Sequence, residues 1–327
     1  MFATDVMEGN RKRRNLLVRS GTLLLAITPI AWIFLRLDFH RLIDCIHQVA
    51  WWTVPALCAV NLLLMTLQGV RWWIILRPLI QGLSFRRVLS YHFIGVFYSI
   101  VLPTSAATDV VKTALLSKQA DYAVSWGATW LCRIVGFLAL VMLSAYGLLT
   151  IDRSFLPAGF WFAAAASAFL GVLAIVLSFS KRLTAPFRPL VNKVMPRRFM
   201  GVLENIRQGI YRYRRQSSAL LSLFFVSLIT QAVIILANVI TLYGITGRFV
   251  VADLFAFIPV VELIANSGPT PNGMGVREAL LAVLFTYLQV SNEQVGIYIF
   301  LLLVCSVGCK LTGALPVFHG MLKHRRV

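Results

Sequence analysis

The 327-residue chain carries 31 Lys and Arg against 12 Asp and Glu, a net charge of +19, yet 59% of it is hydrophobic and only 13% is charged. No soluble core of this size holds that much apolar surface, so the composition excludes an ordinary soluble enzyme and points to an integral membrane protein. The basic residues gather between apolar runs rather than over one soluble face, which argues for cytoplasmic loops and lipid head groups and against nucleic acid.

Arg11-Lys12-Arg13-Arg14 precede an apolar run at 16–35 that lacks a small-residue cleavage site, so it reads as a retained first span rather than a signal peptide. Further runs of the length a crossing helix needs, roughly 20 residues, lie at 52–76, 123–149, 158–179, 218–243 and 294–318. Two pairs of shorter runs remain, 88–102 with 109–118 and 254–265 with 279–288. Each is too short to cross alone, and each pair is split by helix breakers: Pro103 in the first, and Pro269, Pro271, Gly273 and Gly275 in the second. Both pairs therefore predict re-entrant helical hairpins, since unwound backbone at membrane depth is tolerated only within protein or beside a water-filled cavity.

With a cytoplasmic N-terminus and both pairs re-entrant, the basic clusters at 11–14, 86–87, 181–216 and 323–326 all fall on the cytoplasmic side, and only Arg36, Arg41, Arg153 and Arg248 fall outside. Letting one pair cross would put strongly basic loops on opposite faces. The expected protein is thus a multi-pass protein of the cell (inner) membrane with both termini cytoplasmic, one transmembrane domain over 1–327 and a basic cytoplasmic loop at 181–216. Segments 38–49 and 199–215 read as amphipathic interfacial anchors on the outer and cytoplasmic sides.

The halves also align. Phe93-Ile94-Gly95-Val96 matches Phe257-Ile258-Pro259-Val260, and Val111-Lys112-Thr113-Ala114-Leu115-Leu116 matches Val276-Arg277-Glu278-Ala279-Leu280-Leu281. The predicted fold is an all-α integral membrane protein of six full spans and two re-entrant hairpins, arranged as an inverted repeat: 16–150 with hairpin 88–118, then 158–318 with hairpin 254–289.

Charges inside apolar segments are costly and by default mark a pathway or an internal pair. Arg19 and Arg71 lie near span ends, where snorkelling is expected. Arg133 lies about ten residues into its span and is assigned to the bundle interior. In the first hairpin Thr108 is the expected cap of a restarted helix carrying Asp109 and Lys112; in the second, Arg277 and Glu278 open the helix after Asn272, Gly273 and Gly275, with Glu262 on the preceding run. Both restarted helices aim free N–H groups at the interior, an arrangement suited to a phosphate or carboxylate. The alternative is purely structural, with Asp109 pairing Lys112 at i,i+3 and Glu262 or Glu278 neutralising Arg277. The candidate substrate-binding residues are Asp109, Lys112, Arg133, Glu262, Asn272, Gly273, Gly275, Arg277 and Glu278. No cofactor, metal or catalytic residue is expected: Cys45, Cys58, Cys132, Cys305 and Cys309 lack C-x-x-C spacing, and the five histidines are scattered.

At these residues the chain resembles the flippase-like family typified by the transmembrane region of lysylphosphatidylglycerol synthases. Pro269-Thr-Pro-Asn-Gly273-Met-Gly275-Val-Arg277-Glu278 is similar to the family's Pro-x-x-Gly-Gly-x-Gly-x-Arg-Glu motif, and Pro103-Thr-Ser-Ala-Ala-Thr-Asp109-Val-Val-Lys112 to its Pro-x-x-Gly-Gly-Asp-x-x-Arg motif. In the latter Ala107 and Thr108 replace the glycines and Lys112 the arginine; Cys132 stands where an acid is expected before Arg133. The family's soluble aminoacyl-transferase domain has no counterpart here, so lysyl-lipid synthesis is not expected. The resemblance implies a non-enzymatic carrier that moves an anionic phospholipid or a polyprenyl phosphate or glycolipid between leaflets. The alternatives are a membrane enzyme on a lipid phosphate and an accessory subunit working with envelope-biosynthesis proteins.

Overall fold

The computed structural model describes residue 47, residues 49–101, 106–150, 158–179, 208–267, 270, 273 and 275–317. Within them the chain is helical throughout, with no strand. Four helices are long and apolar enough to cross a membrane: α1 (Thr53–Leu76), α4 (Tyr122–Thr150), α6 (Ser217–Thr246) and α9 (Asn292–Lys310, prolonged to Val317). A further apolar helix, α5, covers Ala158–Phe179. The expected span at 16–35, with Arg19, lies outside the described residues.

The short runs form two pairs, α2 (Phe85–Val101) with α3 (Ala107–Leu116), and α7 (Val251–Ser267) with α8 (Val276–Tyr287). In each the two helices pack on one another. Gly95 lets α2 approach α3 closely, because a Cβ there would lie 2.6 Å from the Thr108 carbonyl oxygen. Thr108 is not the cap that the sequence predicts. The helix starts at Ala107, with Ala106 before it and no side-chain cap, because alanines extend a helix readily and carry no side chain that competes for the backbone.

Other ends follow their residues. Asp121 opens α4 by accepting the Ala123 N–H at 2.8 Å, and Ser291 opens α9 by accepting the Gln294 N–H at 3.3 Å. Gly247 ends α6 in the left-handed region, φ +67°. Pro259 inside α7 removes one backbone donor where α4, α5, α6 and α8 pack around the helix.

The core has two main apolar bodies. One joins Trp72, Ile75, Val88, Leu116, Leu131 and Leu223; the other joins Ile235, Leu242, Phe257, Val260, Leu284, Phe285 and Tyr298. Leu57, Val233, Ala237 and Cys305 form the seam between α1, α6 and α9. Large apolar side chains such as Leu63, Met142, Phe162, Leu221, Phe225 and Val304 face outward, as bilayer contact requires.

The packing pattern repeats. α1 packs on α2 and α4, α2 on α3, and α3 on α4; likewise α6 packs on α7 and α9, α7 on α8, and α8 on α9. Contacts across the halves obey the same exchange: α1 meets α6, α4 meets α6 as α9 meets α1, and α4 meets α7 as α9 and its extension meet α2. Gly147 of α4 abuts the Ala256 carbonyl of α7, and Gly313 beyond α9 abuts the Phe93 carbonyl of α2.

The segment at 208–215, the described part of the predicted 199–215 anchor, lies against the start of α4. Gly127 and Gly209 meet backbone to backbone, Ile210 and Tyr213 are buried, and Tyr211 and Arg212 are exposed, the amphipathic division that the sequence predicts. Arg212 Nη1 donates to Asp121 Oδ2 at 2.6 Å. The Ala123 amide first, and Arg212 second, hold the Asp121 carboxyl below its usual range, so their contribution to stability is present near neutral pH and fades in acid.

Candidate functional site

α3 puts Asp109 and Lys112 on one face of its first turns, and Lys112 Nζ lies 2.6 Å from Asp109 Oδ1. Arg133, projecting from α4, gives its Nε to the other carboxylate oxygen, Oδ2. Lys112 is nearly buried, with its ammonium 5.0 Å from the centre of the Trp72 indole ring. Trp72 is held in turn, its Nε1–H donating to Thr129 Oγ1 at 3.1 Å, while Thr129 shares a 2.8 Å hydrogen bond with Thr113 of α3.

Arg71 does not snorkel. Its guanidinium turns inward, lies against Gly136, and donates from Nη2 to the Cys132 carbonyl at 2.6 Å. Gly136 leaves the space on α4 that admits it. His92 of α2 is 1% exposed and within electrostatic reach of Lys112, Asp109 and Arg71; among the described residues neither ring nitrogen has a hydrogen-bond partner. Among the described residues, Lys112 and Arg133 contact the carboxylate of Asp109 at the start of the restarted helix, and Arg71 lies within electrostatic reach of it.

The second pair is built differently. Arg277 of α8 donates from Nη2 to Glu262 Oε2 of α7 at 2.9 Å, and its Nε lies 2.8 Å from Oε1 as an ion pair without hydrogen-bond geometry. Asn266 adds a donor to Glu262 Oε2 at 3.1 Å. Glu278 does not hold Arg277; its carboxylate accepts the Gly275 N–H at 2.6 Å and fastens the helix start. Gly275 has φ +81° and Gly273 φ +68°, and a Cβ on Gly273 would lie 2.7 Å from Ala265, so glycine is required at both. Tyr298 and Lys310 of α9 lie within electrostatic reach of Arg277, and the Tyr298 hydroxyl donates to Asn238 of α6. Charge here balances, with Arg277 and Lys310 against Glu262 and Glu278. Asn272 lies outside the described residues.

The structure therefore brings Asp109, Lys112 and Arg133 into one cluster, and Glu262, Arg277, Glu278, Gly273 and Gly275 into another. Sequence reasoning missed Arg71 and His92. A signal existed for His92, an imidazole in the middle of the apolar run Tyr91–Ile94; for Arg71 none did, since Gly136 faces it only in the folded chain.

A family model described as the lysylphosphatidylglycerol synthase TM region matches residues 21–308 of the chain. No curated protein and no solved structure matches the chain significantly.

Proposed function

Because the chain belongs to the lysylphosphatidylglycerol synthase transmembrane-region family, we propose that it is a lipid carrier, moving an anionic or polyprenyl-linked head group between leaflets while the tails stay in the bilayer. The observation that carries this reading is the gathering of positive charge at a broken helix among apolar spans, where Lys112 and Arg133 contact Asp109 and Arg71 lies within electrostatic reach of it. Charge is costly in hydrocarbon, and a structural pair needs only one cation for each carboxylate. A phosphate-bearing head group is the ligand that a surplus cation cluster at a helix N-terminus suits.

In this reading 16–35 and α5 complete six spans, and α2–α3 and α7–α8 re-enter the membrane from opposite faces as the broken helices of an inverted repeat. The support is the interchangeable packing of the two halves and the matched contacts of Gly147 and Gly313 with the first helix of the opposite pair. Both termini and the basic loop 181–216 are then cytoplasmic, and phospholipid or polyprenyl phosphate reaches the site sideways from the leaflet. Envelope-biosynthesis proteins are the natural donors or acceptors of such lipids.

Reconstitution into liposomes with labelled phosphatidylglycerol or a polyprenyl phosphate tests the function: the labelled lipid is expected to change leaflet without chemical change. Chemical conversion of the label would mean an enzyme, and retention of both the label and its leaflet would mean an accessory protein. For the topology, cysteines introduced at residues 85 and 120 of a cysteine-free protein are expected to react from the same side. Reaction from opposite sides would mean that α2 and α3 together cross.

A further inference from the structure

We infer that Lys310 is a second binding cation for the lipid's phosphate, set on α9 between the two broken helix pairs and neutralised by none of the described side chains. The inference rests on the carrier reading for the class of its ligand and adds a site that the reading does not use.

Lys310 lies well inside its span. α9 and its extension run from Asn292 to Val317, so Lys310 stands about 10 Å short of the end at a rise of about 1.5 Å per residue. On one side this helix touches α2: Cys309 packs with Phe93 and Val96, and Gly313 abuts the Phe93 carbonyl. It also packs on α8, where Lys310 lies within electrostatic reach of Arg277. Lys310 therefore sits on the helix that joins the two pairs, one residue from its contact with the first and within reach of the leading cation of the second.

The side chain is half-buried, and among the described residues it has neither a hydrogen bond nor an ion pair. The acids of the second pair are engaged elsewhere. Glu262 contacts Arg277 and Asn266, and Glu278 accepts the Gly275 N–H. Charges there sum to zero, yet the charge that acts on Lys310 is that of Arg277, another cation. A lysine kept for stability belongs beside a carboxylate, because an ammonium taken out of water needs a counter-ion. One held among apolar helices without such a partner is open to an incoming anion. Lysine meets phosphate as a point charge, so no fork or fixed geometry is required of the site. Lys112 differs, since Asp109 already holds its ammonium. Snorkelling towards the nearer helix end is the alternative for a long side chain, and it predicts no effect of a bound phosphate on the amine.

Farnesyl phosphate, a short phosphate-bearing lipid, is the probe, with farnesol and inorganic phosphate as controls. The full-length protein in detergent is treated with acetic anhydride, and acetylation of Lys310 is followed by mass spectrometry. Lys310 is expected to react in the ligand-free protein. Saturating farnesyl phosphate is expected to slow that reaction about ten-fold or more, the value of a hydrogen bond to a charged group, whereas farnesol leaves it unchanged. Lys310→Met keeps the apolar stem and removes the unpaired charge, so it is expected to melt at or above the wild-type temperature.

Acetylation of Lys310 at the same rate with and without farnesyl phosphate overturns the inference. So does equal protection by farnesol, which would mean that the tail alone shields the amine, and so does a Lys310 that fails to react without ligand. A Lys310→Met protein less stable than wild type would reveal a structural role and also overturns it. Equal protection by inorganic phosphate keeps the phosphate site and overturns the lipid as its source. Translocation in proteoliposomes judges the carrier reading separately: protection without translocation leaves the site and removes the carrier, and translocation without protection leaves the carrier and removes the site.

Discussion

Glu262→Gln is expected to destabilise the protein by about 3 kcal/mol, the lower end of the range for removing one partner of a buried ion pair. The Glu262 side chain is 13% exposed and holds Arg277 with both oxygens. Glutamine keeps the shape and one acceptor but removes the contacting counter-ion, leaving the guanidinium only Glu278 within electrostatic reach, and Lys310 nearby adds to the repulsion. The lower end applies because Arg277 is 30% exposed and partly solvated. Thermal stability in detergent measures the loss, and Arg277→Lys, which keeps the charge and forfeits the fork, is expected to lose less. A Glu262→Gln protein as stable as wild type would mean that another anion serves Arg277.

Gly147→Ala and Gly313→Ala are each expected to cost about 2–3 kcal/mol, near the top of the usual range for overpacking. A Cβ on Gly147 falls on the Ala256 carbonyl oxygen with the carbonyl carbon 2.9 Å away; one on Gly313 falls on the Phe93 carbonyl oxygen, with its carbon at 3.0 Å and the Phe97 Cβ at 2.9 Å. Backbone cannot rotate aside as a side chain does, so two helices must separate. Gly308→Ala is the control: nothing lies within 4 Å of its added Cβ, and the gain of helix propensity makes it neutral to slightly stabilising. Similar losses at 147 and 313 beside a harmless 308 would match the exchange of halves. A loss at one alone would mean that the two contacts are not equivalent.

Much of this was legible in the chain. Apolar length gave α1, α4, α6 and α9, and Pro103 and the Pro269–Gly275 stretch marked the breaks between the short helices. The i,i+3 spacing of Asp109 and Lys112 anticipated their ion pair; the depth of Arg133 in its span anticipated its pairing with Asp109 but not its position, since its side chain is 40% exposed rather than inside the bundle. What escaped was tertiary. Arg71 sits near a span end, where snorkelling and an inward turn are equally short paths for a long side chain, and only the facing Gly136 decides between them. The choice of Glu262 over Glu278 for Arg277 was likewise open from sequence. Once Gly275 fixes the start of α8, Glu278 is drawn to its exposed N–H, leaving Arg277 to the acid across the hairpin.

The family rests on residues 21–308 and the helical membrane architecture on the described residues, whereas the transport site rests on a few side chains, of which Lys112 is the most buried cation among them. Translocation of a labelled polyprenyl phosphate in proteoliposomes, compared among wild type, Lys112→Arg and Lys112→Gln proteins of equal thermal stability, tests the claim most directly. Lys112→Arg is expected to keep transport, because a cation near a helix start needs no particular fork there; Lys112→Gln is expected to lose about ten-fold or more, the value of a hydrogen bond to a charged group. Transport by Lys112→Gln at the wild-type rate would contradict the account.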